Sequence, residues 1–365
     1  MSENLIYGAD ITAYGAVADG KTDCSEAFIK AIENGESLIV VPYGRYFIGK
    51  TIELNSNTKI HIHPNAQISC CFGYSPLFKS NNKNSVEICG GHFVITTPEE
   101  ILPDSLFKFE STNNIKIKDC RLSINSYETV AIELESCENV QISGCSIENE
   151  ANTALLLSGK CHDITVKDTK VSVERFVWAG YNDNNRCDVS YLNIRNIILN
   201  YTNYAFLFSN GSIKELKCEN IRGNFSHSFL HASQTFYLED VDFENINIHA
   251  SEYHNHNSEQ AYFSLLGRID GLEITNFKRN TDFEARPFIP TLILKPSEDS
   301  TAIIDGMLLD SAINARALSK TVDMTTARLT NPTGKFIYTL ECGIDKGDAL
   351  TIPLGDFDSL TIYKR

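Results

Sequence analysis

The sequence predicts an all-β chain wound as a single-stranded, right-handed parallel β-helix of about seven or more coils. Three observations predict it. A unit of turn residue, apolar-x-apolar strand, short corner and second alternating strand recurs about every 24–25 residues. Within each copy, apolar and polar residues alternate with the period of a strand. One amphipathic helical segment precedes the copies, where the open end of a first coil needs a lid.

The clearest copies are NIKIKDCRLSI from Asn114, NVQISGCSIEN from Asn139, DITVKDTKVSV from Asp163 and DVSYLNIRNII from Asp188. Their corners fall at Lys118-Asp119, Ser143-Gly144 and Lys167-Asp168. Fainter copies lie at Ile60–Ile62, Val86–Ile88, Ser212-Ile213, Phe236–Leu238 and Leu272–Ile274. Period-2 alternation sends Ile115, Ile117, Cys120, Leu122, Val140, Ile142, Cys145, Ile147, Ile164 and Val166 inward. There they stack at the spacing of hydrogen-bonded strands, about 4.8 Å. The chain has 11 cysteines, an odd number, and no CxxC pair, so reduced thiols are expected. Cys120 with Cys145, and Cys137 with Cys161 and Cys187, recur near the coil length and read as small apolar side chains stacked inside.

The segment 24–34 carries Ala27, Phe28, Ala31 and Ile32 on one helical face. Asp23 or Ser25 can cap its start and Gly35 can end it. The coil is expected over residues 1–295. From Pro296 the pattern changes: turn signals cluster at Pro296-Ser297, Asn331-Pro332, Gly334, Gly343 and Gly347, between short alternating strands such as IYTLEC and SLTIYKR. Residues 296–365 are therefore expected to form a small β-rich cap that covers the exposed strand edges of the last coil.

Hydrophobic residues make up 42% of the chain and charged residues 22%, enough apolar material to fill such a coil. Lys and Arg number 32 against 47 Asp and Glu, a net charge of −15. That argues against a nucleic-acid partner, which requires a basic face. It disfavours a polyanionic substrate more weakly, because a local patch overrides net charge. No apolar stretch approaches the roughly 18 residues of a membrane span, so no membrane partner is expected. The opening MSENLIYGADITAYG lacks a basic start followed by an apolar run, so the expected location is cytoplasmic.

Residues 11–23, ITAYGAVADGKTD, followed by the helix, by VVPYGRYFIG at 40–49 and by TIELNSNTKIHIHPNAQI at 51–68, resemble the opening of the pectin-lyase-like superfamily. The likeness is nearest to polygalacturonases and pectate-lyase-like proteins. The resemblance implies a β-helix that holds a glycan along the groove of one parallel sheet. It does not carry over polygalacturonase chemistry. That family looks like an Asn-Thr-Asp, an Asp-Asp, a Gly-His-Gly and an Arg-x-Lys on successive coils. The corresponding stretches here are Asn152-Thr153-Ala154, Glu174-Arg175 and Asn203-Tyr204-Ala205, so the first aspartate is replaced by Ala154 and the histidine is missing.

Candidate site residues cluster instead in ERFVWAGYNDNNRCD, residues 174–188, and in HSFLHAS, residues 227–233. Trp178, the only Trp, offers with Tyr181 and Tyr204 the flat faces that stack on sugar rings. Arg175 and Arg186 offer bidentate contacts. Glu174 paired with Asp183 or His231 is the expected proton-transfer pair, with Arg175 orienting the substrate. Glu133 and Glu135 in AIELES lie on one side of a strand, about 7 Å apart, facing solvent on the groove sheet within range of glycosidase geometries. The loop holding Glu252, His254, His256 and Glu259 reads as solvated rather than as a metal site, and no metal or other cofactor is expected.

Three functional classes follow: a glycoside hydrolase, lyase or glycan transferase acting on an oligo- or polysaccharide; a phage tailspike-like glycan-binding protein; and a silent solenoid. A monomer suits the first and a homotrimer the second. A virion protein, like a cytoplasmic one, needs no secretory leader.

Overall fold

A computed structural model describes residues 8–70, 76–95, 105–126, 128–149, 151–181, 185–250 and 262–280, and short strands between 292 and 363. The fold is a right-handed parallel β-helix of about eight turns. It divides into two units, Met1–Glu174 and Arg175–Arg365.

In the first unit the groove sheet is built from Ile52–Glu53, Phe78–Asn81, Ser105–Glu110, Val130–Glu135 and the start of Thr153–Ser172. Each strand pairs in parallel with the strand one coil away: Phe107 with Ile132, and Ile132 with Leu155. The facing sheet repeats the arrangement. Ile115 pairs with Val140, and Val140 with Ile164. All ten side chains expected inward are at most 2% exposed, so the alternation read from the sequence is the alternation of the core.

The corners are set by backbone chemistry. Asn114, Asn139 and Asp163 open their copies at φ of 53–57°, and Asp119, Gly144 and Asp168 turn the second corner at 52–67°. Asn, Asp and Gly tolerate this left-handed region at least cost. The corner amides then stack. Asn139 Nδ2 donates to Asn114 Oδ1 (2.5 Å), and Asn114 Nδ2 donates to Asn84 Oδ1 (2.6 Å). Inside, the cysteine thiols donate to carbonyls of the preceding coil, Cys137 to Phe109 and Cys161 to Leu134. Burial pushes the Cys137 thiol up to about 12 and the Cys161 thiol to about 11, so both stay protonated packing groups.

The helix Ser25–Glu33 forms as expected. Asp23 Oδ1 accepts from the Ser25 backbone N–H (2.9 Å), and Gly35 follows the last turn at φ 78°. Phe28 carries the helix's apolar face to Phe78, with ring centres 6.2 Å apart, and Phe78 packs on Phe107 at 5.7 Å.

The second unit has a groove sheet of Arg175–Ala179, Tyr204–Phe208, Ser228–Ala232, Phe263–Leu265 and Leu292–Leu294. Its facing sheet is Cys187–Tyr201, Gly211–Phe225, Phe236–Ala250 and Arg268–Asn280. Phe206, Phe229, Phe243 and Phe263 fill the space between, with neighbouring rings 5.3–6.1 Å apart. Here one expectation is corrected. The corner of the copy DVSYLNIRNII falls at Tyr191 (φ 64°), not at Asp188. The corners after it fall at Glu215 and Asp240. Asp188 is instead held by Arg186 and Ser212. Toward the C-terminus, Ala315–Ala317 and Ser359–Tyr363 pair in parallel, while Thr326–Thr330 and Ile337–Glu341 form an antiparallel pair.

Candidate functional site

On the groove strands of the second unit the burial pattern is not strict alternation. In Arg175–Ala179 the residues Phe176, Val177 and Ala179 are buried, while Arg175 and Trp178 are half-buried. Tyr204–Phe208 repeats the pattern, with Tyr204 and Leu207 half-buried. Two consecutive buried residues between the partly exposed ones bring positions three apart onto one face. Register then aligns these positions across coils. Arg175 pairs with Tyr204 and Tyr204 with Ser228. Trp178 pairs with Leu207, Leu207 with His231 and His231 with Ser264.

Two columns of side chains result. The Arg175 guanidinium lies 4.6 Å from the centre of the Trp178 ring, within cation–π range. Trp178 Nε1 donates to Ser209 Oγ (2.9 Å), and its ring meets Tyr181 edge-on at 5.8 Å. Tyr204 stacks on His227 at 4.9 Å and meets His231 edge-on at 6.1 Å. Behind His227, Ser226 Oγ donates to Asn203 Oδ1 (2.6 Å), which also accepts from the Tyr201 hydroxyl (3.0 Å). Burial, and then the charge of Arg175, hold the His227 imidazole below its ordinary range, so it is neutral at neutral pH. Tyr181 is 39% exposed and Tyr201 49%, so the face is aromatic and open at its edge. Neutral imidazole, phenol and guanidinium side by side can accept a proton, donate a proton and bind an anion.

The structure thus gathers Arg175, Trp178, Tyr181, Tyr204 and His231 from the candidates. Arg186 does not join them in any described contact: it forks onto Asp188 with bonds of 3.0 and 2.9 Å. Glu174 closes the first unit, where its backbone N–H donates to the Ala151 carbonyl (3.1 Å). Asp183 and the loop with Glu252, His254, His256 and Glu259 lie outside the described residues. Glu133 is a correction. It does not face solvent but is 7% exposed, held by Lys108 Nζ at 2.9 Å in an ion ladder that continues to Glu110 and Lys79. A carboxylate at that depth requires a cation beside it. Glu135, two residues on, is exposed as expected. Sequence reasoning missed Ser209, Asn203 and Ser226. They flank the groove strands at their ends, and attention to those flanking positions would have marked them.

The family model for rhamnogalacturonase A/epimerase, pectate lyase-like proteins matches residues 9–228. Among solved structures the chain is similar to PfbA, a surface adhesin of Streptococcus pneumoniae, at 15% identity and TM-score 0.60, covering 89% of each chain. It is also similar to a hyperthermoactive exopolygalacturonase from Thermotoga maritima, at 15% identity and TM-score 0.54, covering 92% of this chain and 94% of that one. Both likenesses are of fold. A short stretch is 44% identical over 54 residues to the pre-neck appendage protein of Bacillus phage B103, and another match is 46% identical over 52 residues to that of Bacillus phage PZA. The first match takes in 15% of this chain and 6% of the phage protein's length. No helix among the described residues is long and apolar enough to cross a membrane.

Proposed function

The chain belongs to the rhamnogalacturonase A/epimerase, pectate lyase-like family, and from that premise we propose that it is a carbohydrate-active enzyme of the lyase type, holding a polysaccharide against the aromatic face of the second unit. The observation that carries this reading is the contact of Tyr204 with both His227 and His231, with Arg175 in the neighbouring strand.

Glycoside hydrolysis ordinarily needs two carboxylates flanking the bond. Among the described residues, the partly exposed side chains on the strands of this face are Arg175, Trp178, Tyr204, Leu207 and His231, with no carboxylate among them. β-Elimination asks for something else: a base for the proton beside a uronate carboxyl, a cation to bind that carboxylate as charge develops, and an acid for the leaving oxygen. Neutral His227, or His231 beside it, supplies the base, Arg175 the cation and Tyr204 the acid. Trp178 and Tyr181 supply sugar stacking.

The test is to incubate the full chain with a panel of uronate-containing and neutral polysaccharides and follow reducing ends and the absorbance of unsaturated products together. Elimination raises both, and hydrolysis raises reducing ends alone. A second reading, a non-catalytic glycan-binding appendage of a virion, is favoured by the short stretch shared with the Bacillus phage proteins. Binding with neither product, from a trimer by native mass, would select it.

A further inference from the structure

The facing sheet of the second unit contains a cavity of about 360 Å³ that the aromatic face does not use. It is lined by Asn196, Asn220 and Asn245, by Ile198, Arg222 and Asn247, and at its floor by Ile197 and Ile221. We propose that this cavity is a second binding site, for a short oligosaccharide bearing a carboxylate.

The lining has the regularity of the coil. Asn196, Asn220 and Asn245 turn successive left-handed corners, each at φ 56°. Two positions further along, Ile198 pairs with Arg222 and Arg222 with Asn247. The site is therefore two parallel columns, one of amides and one of an apolar group, a guanidinium and an amide, crossing three coils. Coils repeat at about 4.8 Å, similar to the length of one pyranose residue, so successive sugars can meet successive coils. The volume lies in the range of small-molecule sites, roughly 300–1,000 Å³.

The chemistry points to a hydroxylated, anionic ligand. Asparagine side chains both donate and accept, as vicinal hydroxyls do. Their left-handed corners anchor the backbone, so little freedom is lost on binding. Asn220 Nδ2 is committed to Asn196 Oδ1 (3.2 Å) and Glu219 Oε1 (3.0 Å), which leaves its oxygen as an acceptor for a sugar hydroxyl. Asn245 is steadied in the same way by Glu244 (3.4 Å). Ile198 offers the apolar surface that the C–H face of a sugar needs. Arg222 is exposed and has no carboxylate partner among the described residues, although Glu219 and Glu244 lie near; they engage the corner amides instead. A guanidinium so placed is suited to a bidentate carboxylate. A neutral sugar would leave it unused.

The experiment titrates tetragalacturonate and, separately, a neutral tetrasaccharide of galactose into the full-length Trp178→Ala variant, by calorimetry and ligand-observed NMR. Trp178→Ala weakens the aromatic face without touching this cavity. The acidic tetrasaccharide is expected to bind, and the neutral one to bind more weakly. Adding Arg222→Ala should lower the affinity for the acidic ligand about tenfold, Asn247→Ala should lower it less, and Arg222→Lys should recover part of the loss. Arg222→Ala alone should leave any turnover at the aromatic face unchanged, so failure of one site is separable from failure of the other. The proposal is overturned if Trp178→Ala alone abolishes all saccharide binding. It is equally overturned if neither Arg222→Ala nor Asn247→Ala, each with an unchanged melting temperature, alters the affinity.

Discussion

The guanidinium of Arg175 sits 4.6 Å from the ring centre of Trp178, three residues further along the same strand. Strict strand alternation would put the two on opposite sides of the sheet. They share a face because Phe176 and Val177 are both buried between them. The pair makes one surface of the proposed sugar site, flat on the indole and cationic beside it.

Replacing Trp178 with Ala should therefore weaken polysaccharide binding by about 1.5 kcal/mol, roughly tenfold, as loss of an aromatic platform does. Affinity electrophoresis in gels containing the polysaccharide would show it. Unchanged mobility would remove Trp178 from the site.

His231→Asn and Tyr204→Phe should each lower turnover by about 10²–10⁴-fold, the usual contribution of a proton-transfer group, while leaving the melting temperature nearly unchanged because both side chains lie on the partly open face. Two variants that turn over substrate like the parent would rule out the proposed chemistry.

His227 has a consequence for stability. Its imidazole is held below the ordinary range, by burial first and by Arg175 second. The unfolded chain takes up the proton at about pH 6.5, before the folded one does, so this group withdraws stability as pH falls through that value. The loss is complete below the folded pKa. Urea denaturation of the parent and of His227→Asn from about pH 7.5 downward should show the variant losing less stability on acidification. Parallel curves would contradict the assignment.

Lys108→Met should destabilise the first unit by about 1–3 kcal/mol, because it leaves Glu133 nearly buried and without its 2.9 Å partner. The double variant Lys108→Met with Glu133→Leu should recover most of that loss, since it removes the stranded charge as well. Thermal melting of the three proteins measures this. A double variant no more stable than the single one would mean that packing, not charge, is what Lys108 supplies.

Gly180 stands at φ 66°, and a Cβ there would come within 1.8 Å of the Asn210 carbonyl oxygen. Gly180→Ala should lower stability by about 1–3 kcal/mol and also disturb binding, because Tyr181, the next residue, packs on Trp178. A variant that melts and binds like the parent would show that the backbone yields there freely.

The sequence by itself determined the coil, the inward set from Ile115 to Val166, the capping helix and the Asn and Asp corners of the first unit. Each of these rests on a local rule: side-chain alternation, helical periodicity, or the tolerance of one residue type for positive φ. Local rules lost the register at Asp188, where the corner is Tyr191 and no residue-type preference marks it. Only the tertiary structure decided which outward residues meet. Tyr204 meets both His227 and His231, Trp178 reaches Ser209, and Glu133 sinks beside Lys108, although the partners in each pair stand about one coil apart in sequence. Such meetings depend on the length of every intervening turn and on a doubled buried position such as Phe176-Val177. A shift of one residue in either would carry a side chain to the other face of the sheet.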